Sequence, residues 1–306
     1  MRNTRRRGAV LATTTALALT LAGCGSSDEP AGDADGTTTA GGAADAEPIT
    51  IGIHSGWEEG IAVSYLWAHI LQEQGYEVEL ETADAGIVFT GLAEGDYDVN
   101  FDTWLPLTHG DYLEEFGDRI TELGMWLEEA PLTIAVNEDA PIDSLAELAE
   151  NADLFDNRLI GIESGAGLTG VVQDSVIPAY GLEDMEFLIS STPAMLAELE
   201  AATDAGENVV VTLWEPHWAY DAYPIKNLED PEGALGEADD IYAYGTTGFA
   251  DEYPEVAGWI ADFTMDADQL HALENIMFNE NEGNDNEGSI EQWLEDNPDF
   301  VPGIVG

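Results

Sequence analysis

The sequence predicts an α/β fold with two lobes and a ligand cleft between them. Strand-like and helix-like segments alternate from residue 48 to the C-terminus, they form two sets, and no long linker separates the sets. The segment is long enough for one large domain or two small lobes. A groove between two such lobes is the natural place for a binding site.

The first set of elements reads as βαβ units. "ITIGI" is a strand, and "IAVSYLWAHILQEQG" is a helix that ends at Gly75. "YEVEL", a helix near "AGIVFTGLAEG" and the strand "YDVNF" follow. Consecutive βαβ units predict a parallel sheet.

The second set repeats the pattern. The strand "LTIAV" precedes a helix capped near Asp143 and Ser144, and "RLIGI" precedes a helix from Gly167. "EFLIS", a helix opening at Thr192 and Pro193, and "NVVVTLW" complete the set. We expect lobe 1 to cover about 48–135 and 216–306 and lobe 2 about 136–215. Strands near Leu132 and Val211 would join them.

The charge of the chain is strongly negative. It has 63 acidic and 7 basic residues and a formal net charge of −56. The surface therefore disfavours nucleic acid as a partner. Acidic residues are spread along the chain rather than clustered, which favours adaptation to a high-salt medium over a polyanion that binds metals or basic proteins.

The N-terminus reads as a lipoprotein export signal. Residues 1–23 have a basic start and an apolar run too short to span a bilayer comfortably. "LAGC" resembles a bacterial lipobox, which would make Cys24 the lipidated first residue of the mature protein and anchor it at the outer face of the cell membrane. Residues 24–47 are a flexible linker rich in Gly, Ser, Thr and Asp. "TRRRG" leaves the export route, Sec or twin-arginine, open.

The sequence gives little support to catalysis or metal binding. It contains no G-x-S-x-G elbow, HExxH or P-loop. "GWEEG", with Glu58 and Glu59, has the residues of a glycosidase acid pair, but adjacent carboxylates are expected by chance in so acidic a chain. "NENEGNDNEGS" lacks the register of a calcium loop. We therefore expect a non-enzymatic protein without a cofactor or metal.

Tryptophan marks the candidate site. Trp57, Trp104 and Trp214 each follow or end a predicted strand, which is where ligands bind in open α/β sheets. Packing between the lobes is the alternative for these three. Trp218 is a candidate rim residue, and the other tryptophans are expected in the core: Trp67, Trp126, Trp259 and Trp293.

Three separated stretches carry a family resemblance. "DTWLPLTH" at 102–109, "GIESGAGLTG" at 161–170 and "VVTLWEPHWAY" at 210–220 resemble, in this order, the substrate-binding proteins of glycine betaine and related quaternary-amine ABC transporters. The resemblance runs from about Ile49 to the C-terminal "SIEQWLEDNPDFV". It implies a type II periplasmic-binding-protein fold, and a monomeric domain that delivers a small quaternary amine to a membrane permease.

The resemblance also implies roles for individual residues. Trp57, Trp104 and Trp214, hereafter the cage tryptophans, would surround a trimethylammonium group, which has no N–H to donate but is attracted to π faces. His109 and the backbone amides of Gly167 and Leu168 would hold the ligand carboxylate, because a helix N-terminus favours an anion. His217 matches no binding position and is expected to be structural.

The ligand class leaves alternatives. A betaine, taken up as an osmoprotectant, is the first choice, because a histidine and a glycine-rich helix start suit a ligand with its own carboxylate. Choline or carnitine is the alternative within the class, since Glu59 could complement the net charge of choline. An extracellular carbohydrate-active enzyme that uses Glu58 and Glu59 is the alternative from another class.

Overall fold

The structure is a computed structural model that describes residues 47–306. The predicted signal peptide, Cys24 and all of the linker except Glu47 lie outside the described residues. Among the residues that are described, no helix has the length and apolarity that a membrane crossing requires.

Ten strands form two sheets of five. Their bounds are β1 Ile49–His54, β2 Val78–Ala83, β3 Val99–Leu105, β4 Ile120–Ala130, β5 Leu132–Asn137, β6 Arg158–Ile160, β7 Glu186–Leu188, β8 Val210–Trp214, β9 Ile225–Asn227 and β10 Asp239–Thr246. The first sheet has the order β2-β1-β3-β10-β4, and the second has the order β7-β6-β8-β5-β9. This arrangement confirms the predicted mixture of strands and helices in two lobes.

Twelve α-helices of the described residues flank the sheets. Their bounds are α1 Glu58–Glu73, α2 Ala85–Glu94, α3 Gly110–Phe116, α4 Gly167–Val171, α5 Ile177–Tyr180, α6 Thr192–Ala205, α7 Ala219–Ala222, α8 Phe249–Glu252, α9 Pro254–Asp262, α10 Ala267–Glu274, α11 Asn286–Asp296 and α12 Phe300–Val305. The helix expected after Ser144 is instead a pair of 3₁₀ segments, Leu145–Glu147 and Ala149–Phe155.

Both sheets are mixed rather than parallel as expected. β1 pairs in parallel with β2 and β3, whereas β10 runs antiparallel to β3 and β4. In the second sheet, β6 is parallel to β7 and β8, and β5 is antiparallel to β8 and β9. The antiparallel strands β5 and β10 arrive from the other sheet. They lack the helical crossover that links parallel neighbours within one sheet.

The chain passes between the sheets at Pro131 and again along residues 228–238. Val211, near which the second crossing was expected, lies inside β8 and pairs with both β5 and β6. We keep the names lobe 1 and lobe 2 for the parts built on the first and second sheet. The strands of lobe 2 extend from Leu132 to Asn227, beyond the expected limits of 136 and 215 on both sides.

One main hydrophobic core runs through both lobes. Trp67, Trp126 and Trp293 are fully buried in it, and Trp259 packs against it, as the sequence predicts. Trp67 stacks on Phe101 of β3 with ring centroids 5.2 Å apart. This packing fixes α1 against β3 of the first sheet. Trp57 directly precedes α1 and Trp104 lies on β3, so the core holds the backbone near both residues.

Candidate ligand-binding site

A cavity with about 280 Å³ of empty space lies between the lobes. All seven residues predicted from the sequence to bind ligand or complement its charge line it: Trp57, Glu59, Trp104, His109, Gly167, Leu168 and Trp214. These residues lie at or after the ends of β1, β3, β6 and β8. The cavity is therefore where ligands bind in open α/β sheets, at the ends of the strands. The structure thus brings the predicted residues together, and their individual roles stay predictions.

The cage tryptophans are buried, with exposed fractions of 5, 3 and 4% for Trp57, Trp104 and Trp214. Trp57 stacks on the imidazole of His109, with ring centroids 5.4 Å apart and an interplanar angle of 8°. The turn before Trp57 depends on Gly56, whose φ of +82° favours glycine.

Each cage tryptophan donates its indole N–H to an acidic side chain. The three bonds run from Trp57 Nε1 to Glu163 Oε1 at 2.5 Å, from Trp104 Nε1 to Asp102 Oδ1 at 2.7 Å, and from Trp214 Nε1 to Glu59 Oε2 at 2.9 Å. An acceptor oxygen at the N–H edge fixes each ring, and an acid that is ionised there adds to the attraction of the π face for a cation.

Three hydrogen bonds join lobe 1 to lobe 2 around the cavity. Two of them are the bonds from Trp57 to Glu163 and from Trp214 to Glu59. The third runs from the hydroxyl of Tyr112 in α3 to the carbonyl oxygen of Gly165 at 2.9 Å. These contacts describe a closed arrangement of the lobes.

Glu59 and Asp102 form a buried acidic pair behind the cage. Burial raises the pKa of Asp102 to about 7, although hydrogen bonds from Trp104 and Glu59 act in the opposite direction. Burial, with the nearby carboxyl groups of Asp102 and Glu274, raises the pKa of Glu59 well above its usual value. The pair therefore carries less negative charge near neutral pH than two ordinary carboxylates would.

His109 presents a neutral donor. Its Nδ1 accepts the backbone N–H of Trp104 at 2.9 Å, so the proton of the neutral ring lies on Nε2. Burial, and then the neighbouring His54, hold the pKa of His109 well below its usual value. The buried Nε2 has no hydrogen-bond partner within residues 47–306, which leaves its N–H available to a ligand.

Gly167 and Leu168 begin α4 at the wall of the cavity formed by lobe 2. The first amide groups of a helix have no partner inside that helix. Gly167 also lies so close to lobe 1 that an added Cβ would be 1.8 Å from the carbonyl oxygen of Thr108. Only glycine permits this contact between the lobes.

Comparison with known proteins assigns the chain to a family. Residues 47–296 match the family model of the OpuAC domain, the substrate-binding domain of the ABC-type glycine betaine transport system. The chain belongs to this family. The match covers both lobes and all seven predicted site residues.

Individual relatives agree with the family assignment. The chain is 30% identical over 164 residues to the glycine betaine/carnitine transport binding protein GbuC of Listeria monocytogenes, a match that covers 53% of this chain and 52% of GbuC. The chain therefore matches about half the length of that OpuAC-family relative. Its fold resembles that of the glycine betaine and L-proline transporter binding protein ProX from Borrelia burgdorferi, with a TM-score of 0.78, 27% identity, and coverage of 85% of this chain and 97% of ProX.

The fold is also similar to that of lactococcal OpuAC in its closed form with glycine betaine. The TM-score is 0.78 at 24% identity, over 85% of this chain and 100% of the lactococcal chain. These likenesses confirm the predicted two-lobed fold of type II periplasmic binding proteins.

Other candidate residues lie behind the cavity or away from it. His217 is buried, its Nδ1 accepts the backbone N–H of Ala219 at 3.0 Å, and its Nε2 lies 3.3 Å from Glu58 Oε2. Trp218, a candidate rim residue, is absent from the cavity lining and stacks on His217. Within residues 47–306, no group of His, Cys, Asp or Glu is arranged to hold a metal ion.

Sequence reasoning missed Asp102 and Glu163. Both residues lie inside stretches that carry the family resemblance, but in a chain with 63 acidic residues a single carboxylate gives no signal. Asp102 lies two residues before Trp104 on the same strand, a spacing that places both side chains on one face. That spacing was the available signal for Asp102, whereas Glu163 is 106 residues from Trp57 and had none.

Proposed function

We propose that this chain captures glycine betaine, or a similar betaine, outside the cytoplasm and delivers it to an ABC permease for osmoprotectant uptake. One observation carries the proposal. The same closed cavity is lined by three indole rings backed by acidic side chains and by a neutral histidine whose Nε2–H is available. These groups complement the cation and the carboxylate of a zwitterion.

A quaternary ammonium suits the aromatic part of the cavity. It cannot donate a hydrogen bond, so acceptors cannot select it, whereas desolvated π faces attract it by about 2 kcal/mol or more. Membership of the OpuAC family and similarity to GbuC support this ligand class. We further propose that lipid on Cys24 anchors the mature protein.

Choline is the second candidate ligand, because Glu59 lines the cavity and accepts from Trp214. When ionised, a carboxylate there favours a ligand with net positive charge, although burial raises the pKa of Glu59 well above its usual value. Two observations count against the carbohydrate-active enzyme. Glu58 is buried beside His217, and Glu59 is engaged with Trp214, so neither acid is free as the pair that glycoside cleavage needs.

Calorimetric titration at high salt tests the proposal. We expect the purified domain to bind glycine betaine or proline betaine more tightly than carnitine or choline, and to release each ligand chemically unchanged. Small-angle scattering of the same samples should show compaction, since the cavity has walls from both lobes. Preference for choline would favour the second candidate, and binding to none of the four would refute the proposal.

A further inference from the structure

The bond between Trp57 and Glu163 joins the two lobes. Trp57 precedes α1 in lobe 1, whereas Glu163 follows β6 in lobe 2. Trp104 is bonded within its own lobe, and Trp214 of lobe 2 is bonded across the cleft to the buried Glu59 of lobe 1. Of the three cage tryptophans, Trp57 is the one held by an acid of lobe 2, at 2.5 Å.

Glu163 is held firmly within lobe 2. Its Oε2 accepts from both the backbone N–H and the hydroxyl of Thr192, the first residue of α6, at 3.2 Å each. Its backbone carbonyl accepts from the Thr169 hydroxyl at 3.0 Å and from the Ala166 N–H at 3.1 Å. These four bonds fix where Oε1 lies before it meets Trp57.

The side chain of Glu163 accepts three hydrogen bonds. The donors are the indole N–H of Trp57 and the backbone N–H and hydroxyl of Thr192. A glutamate side chain has two acceptor oxygens for these donors, whereas a glutamine side chain has one.

Trp57 lacks comparable fixation within lobe 1. An indole has a single N–H, and that group is used across the cleft. Its ring stacks on the imidazole of His109, with centroids 5.4 Å apart, and packs against the tilted imidazole of His54 at 4.5 Å. These ring contacts have no directional hydrogen bond, whereas the bond to Glu163 fixes the direction of the indole N–H.

We propose that Glu163 is a positioning residue, which fixes the Trp57 ring for contact with the cation only when the lobes close. The inference rests on the proposed function, because the orientation of Trp57 matters for binding if the cavity holds a cation. It links closure to the completion of the cage. A ligand that keeps the lobes together also keeps Trp57 aligned, and opening releases both.

A double-mutant cycle tests this role. Glu163→Gln offers one acceptor oxygen to three donors, so we expect the dissociation rate of glycine betaine to rise about 10-fold with little change in the association rate. Trp57→Phe keeps a ring but removes the N–H. In the Trp57→Phe background, Glu163→Gln should change the dissociation rate by less than about 2-fold, because the interaction is already absent.

Tyr112→Phe is the matched control. It removes the bond to Gly165, which joins the lobes but touches no cage tryptophan. Tyr112→Phe should change the dissociation rate of glycine betaine by the same factor in the wild-type and Trp57→Phe backgrounds. If Glu163→Gln also changes the dissociation rate by the same factor in both backgrounds, Glu163 acts on lobe 2 and not through Trp57. The inference is then wrong.

The thermal unfolding midpoint of unliganded Glu163→Gln shows whether this variant folds. If it does not fold, a second variant tests the same role. Thr192→Val removes one donor that fixes Glu163 and should raise dissociation about 3-fold, but only with Trp57 present. No change in either background would overturn the inference. Wild-type protein that binds none of the four ligands would refute the proposed function and the inference with it, whereas normal wild-type binding with an additive cycle refutes the inference alone.

Discussion

At one end of the cavity the three cage tryptophans donate to Glu163, Asp102 and Glu59, whereas at the other end His109, Gly167 and Leu168 offer neutral N–H groups. None of the positive side chains within residues 47–306, which are Arg119, Arg158 and Lys226, lines the cavity. Acidic side chains accept from the indoles at the first end, whereas a buried histidine and the start of a helix form the second. In the proposed assignment, charge would attract the cation, while hydrogen bonds alone would hold the carboxylate.

This difference has a consequence for selectivity. In so acidic a chain, a positive side chain at the anion end would be attracted to the acids behind the cage and would compete with the cation. Neutral donors avoid that competition, and they are worth more in a cavity that excludes water. The two ends can therefore be tested separately by substitutions that touch one of them.

Gly167→Ala should have the largest effect, because it prevents the two lobes from closing around both ends of the cavity. The new Cβ would lie 1.8 Å from the carbonyl oxygen of Thr108, so the closed form must open or shift. We expect affinity for every ligand to fall roughly 100-fold, on the order of 3 kcal/mol. Isothermal titration calorimetry measures the loss. Gly170→Ala, in the same helix with no atom within 4 Å of its new Cβ, should bind like wild type.

His109→Ala should break the anion end alone. It removes a donor to the ligand carboxylate, a charge-assisted bond worth about 1.5–3 kcal/mol, or roughly 10- to 150-fold in the dissociation constant of glycine betaine. Choline has no carboxylate, so its dissociation constant should change less than about 2-fold. His69→Ala on the outer part of α1 serves as the control. Equal losses for both ligands would show that His109 supports the fold of the site rather than the ligand.

Trp104→Ala should break the cation end alone. It removes one π face and should weaken glycine betaine and choline by a similar amount, about 1–2 kcal/mol or roughly 5- to 30-fold. Competition binding with both ligands on one protein sample gives the ratio directly. Trp259→Ala removes a partly buried tryptophan outside the cavity and should leave that ratio and both affinities near wild type. A loss confined to betaine would contradict the assignment of Trp104 to the ammonium group.

The sequence predicts the two-lobed fold and the residues that line the cavity better than it predicts how the strands pair. Trp57, Trp104 and Trp214 stand out because each follows or ends a predicted strand, and the family resemblance singles out the same three residues. The order of the sheets was not found, because β10 and β5 pair with partners far away in sequence and enter from the other lobe. Periodicity along the chain contains no information on such pairings.

Asp102 and Glu163 were missed for a related reason. A carboxylate becomes informative through burial and a specific partner, and both are properties of the folded chain. Glu163 and Trp57 meet only when two lobes come together, so no spacing in the sequence marks them. By contrast, the family resemblance singles out Gly167 at a predicted helix start, although its contact with Thr108 could not be foreseen.

The smallest expected effect is a pH dependence confined to the cation end. Asp102 has a pKa raised to about 7 by burial, and the acids that face it are Glu59 from α1 and Glu274 from α10. A bound cation disfavours the proton on Asp102, so it lowers this pKa and complex formation releases part of a proton. Affinity should therefore rise as pH increases from about 5.5 to about 7.5 and level off above that range. His109 and His54 add no slope there, since burial lowers the pKa of His109 well below its usual value and that of His54 to about 3.

Choline and glycine betaine should respond to pH by different amounts. The carboxylate of the betaine offsets part of the field that its ammonium exerts on Asp102, so we expect roughly a 3-fold gain for choline and less for betaine. Titration calorimetry in buffers of different ionisation enthalpy would detect the released proton independently of affinity. Asp102→Asn keeps an acceptor for the Trp104 N–H but cannot ionise, and it should flatten both curves. If affinity still depends on pH in this variant, the group that titrates is Glu59 or Glu274 rather than Asp102. If affinity falls above pH 6, the ligand is bound by the protonated form of the Glu59–Asp102 pair and not by its ionised form.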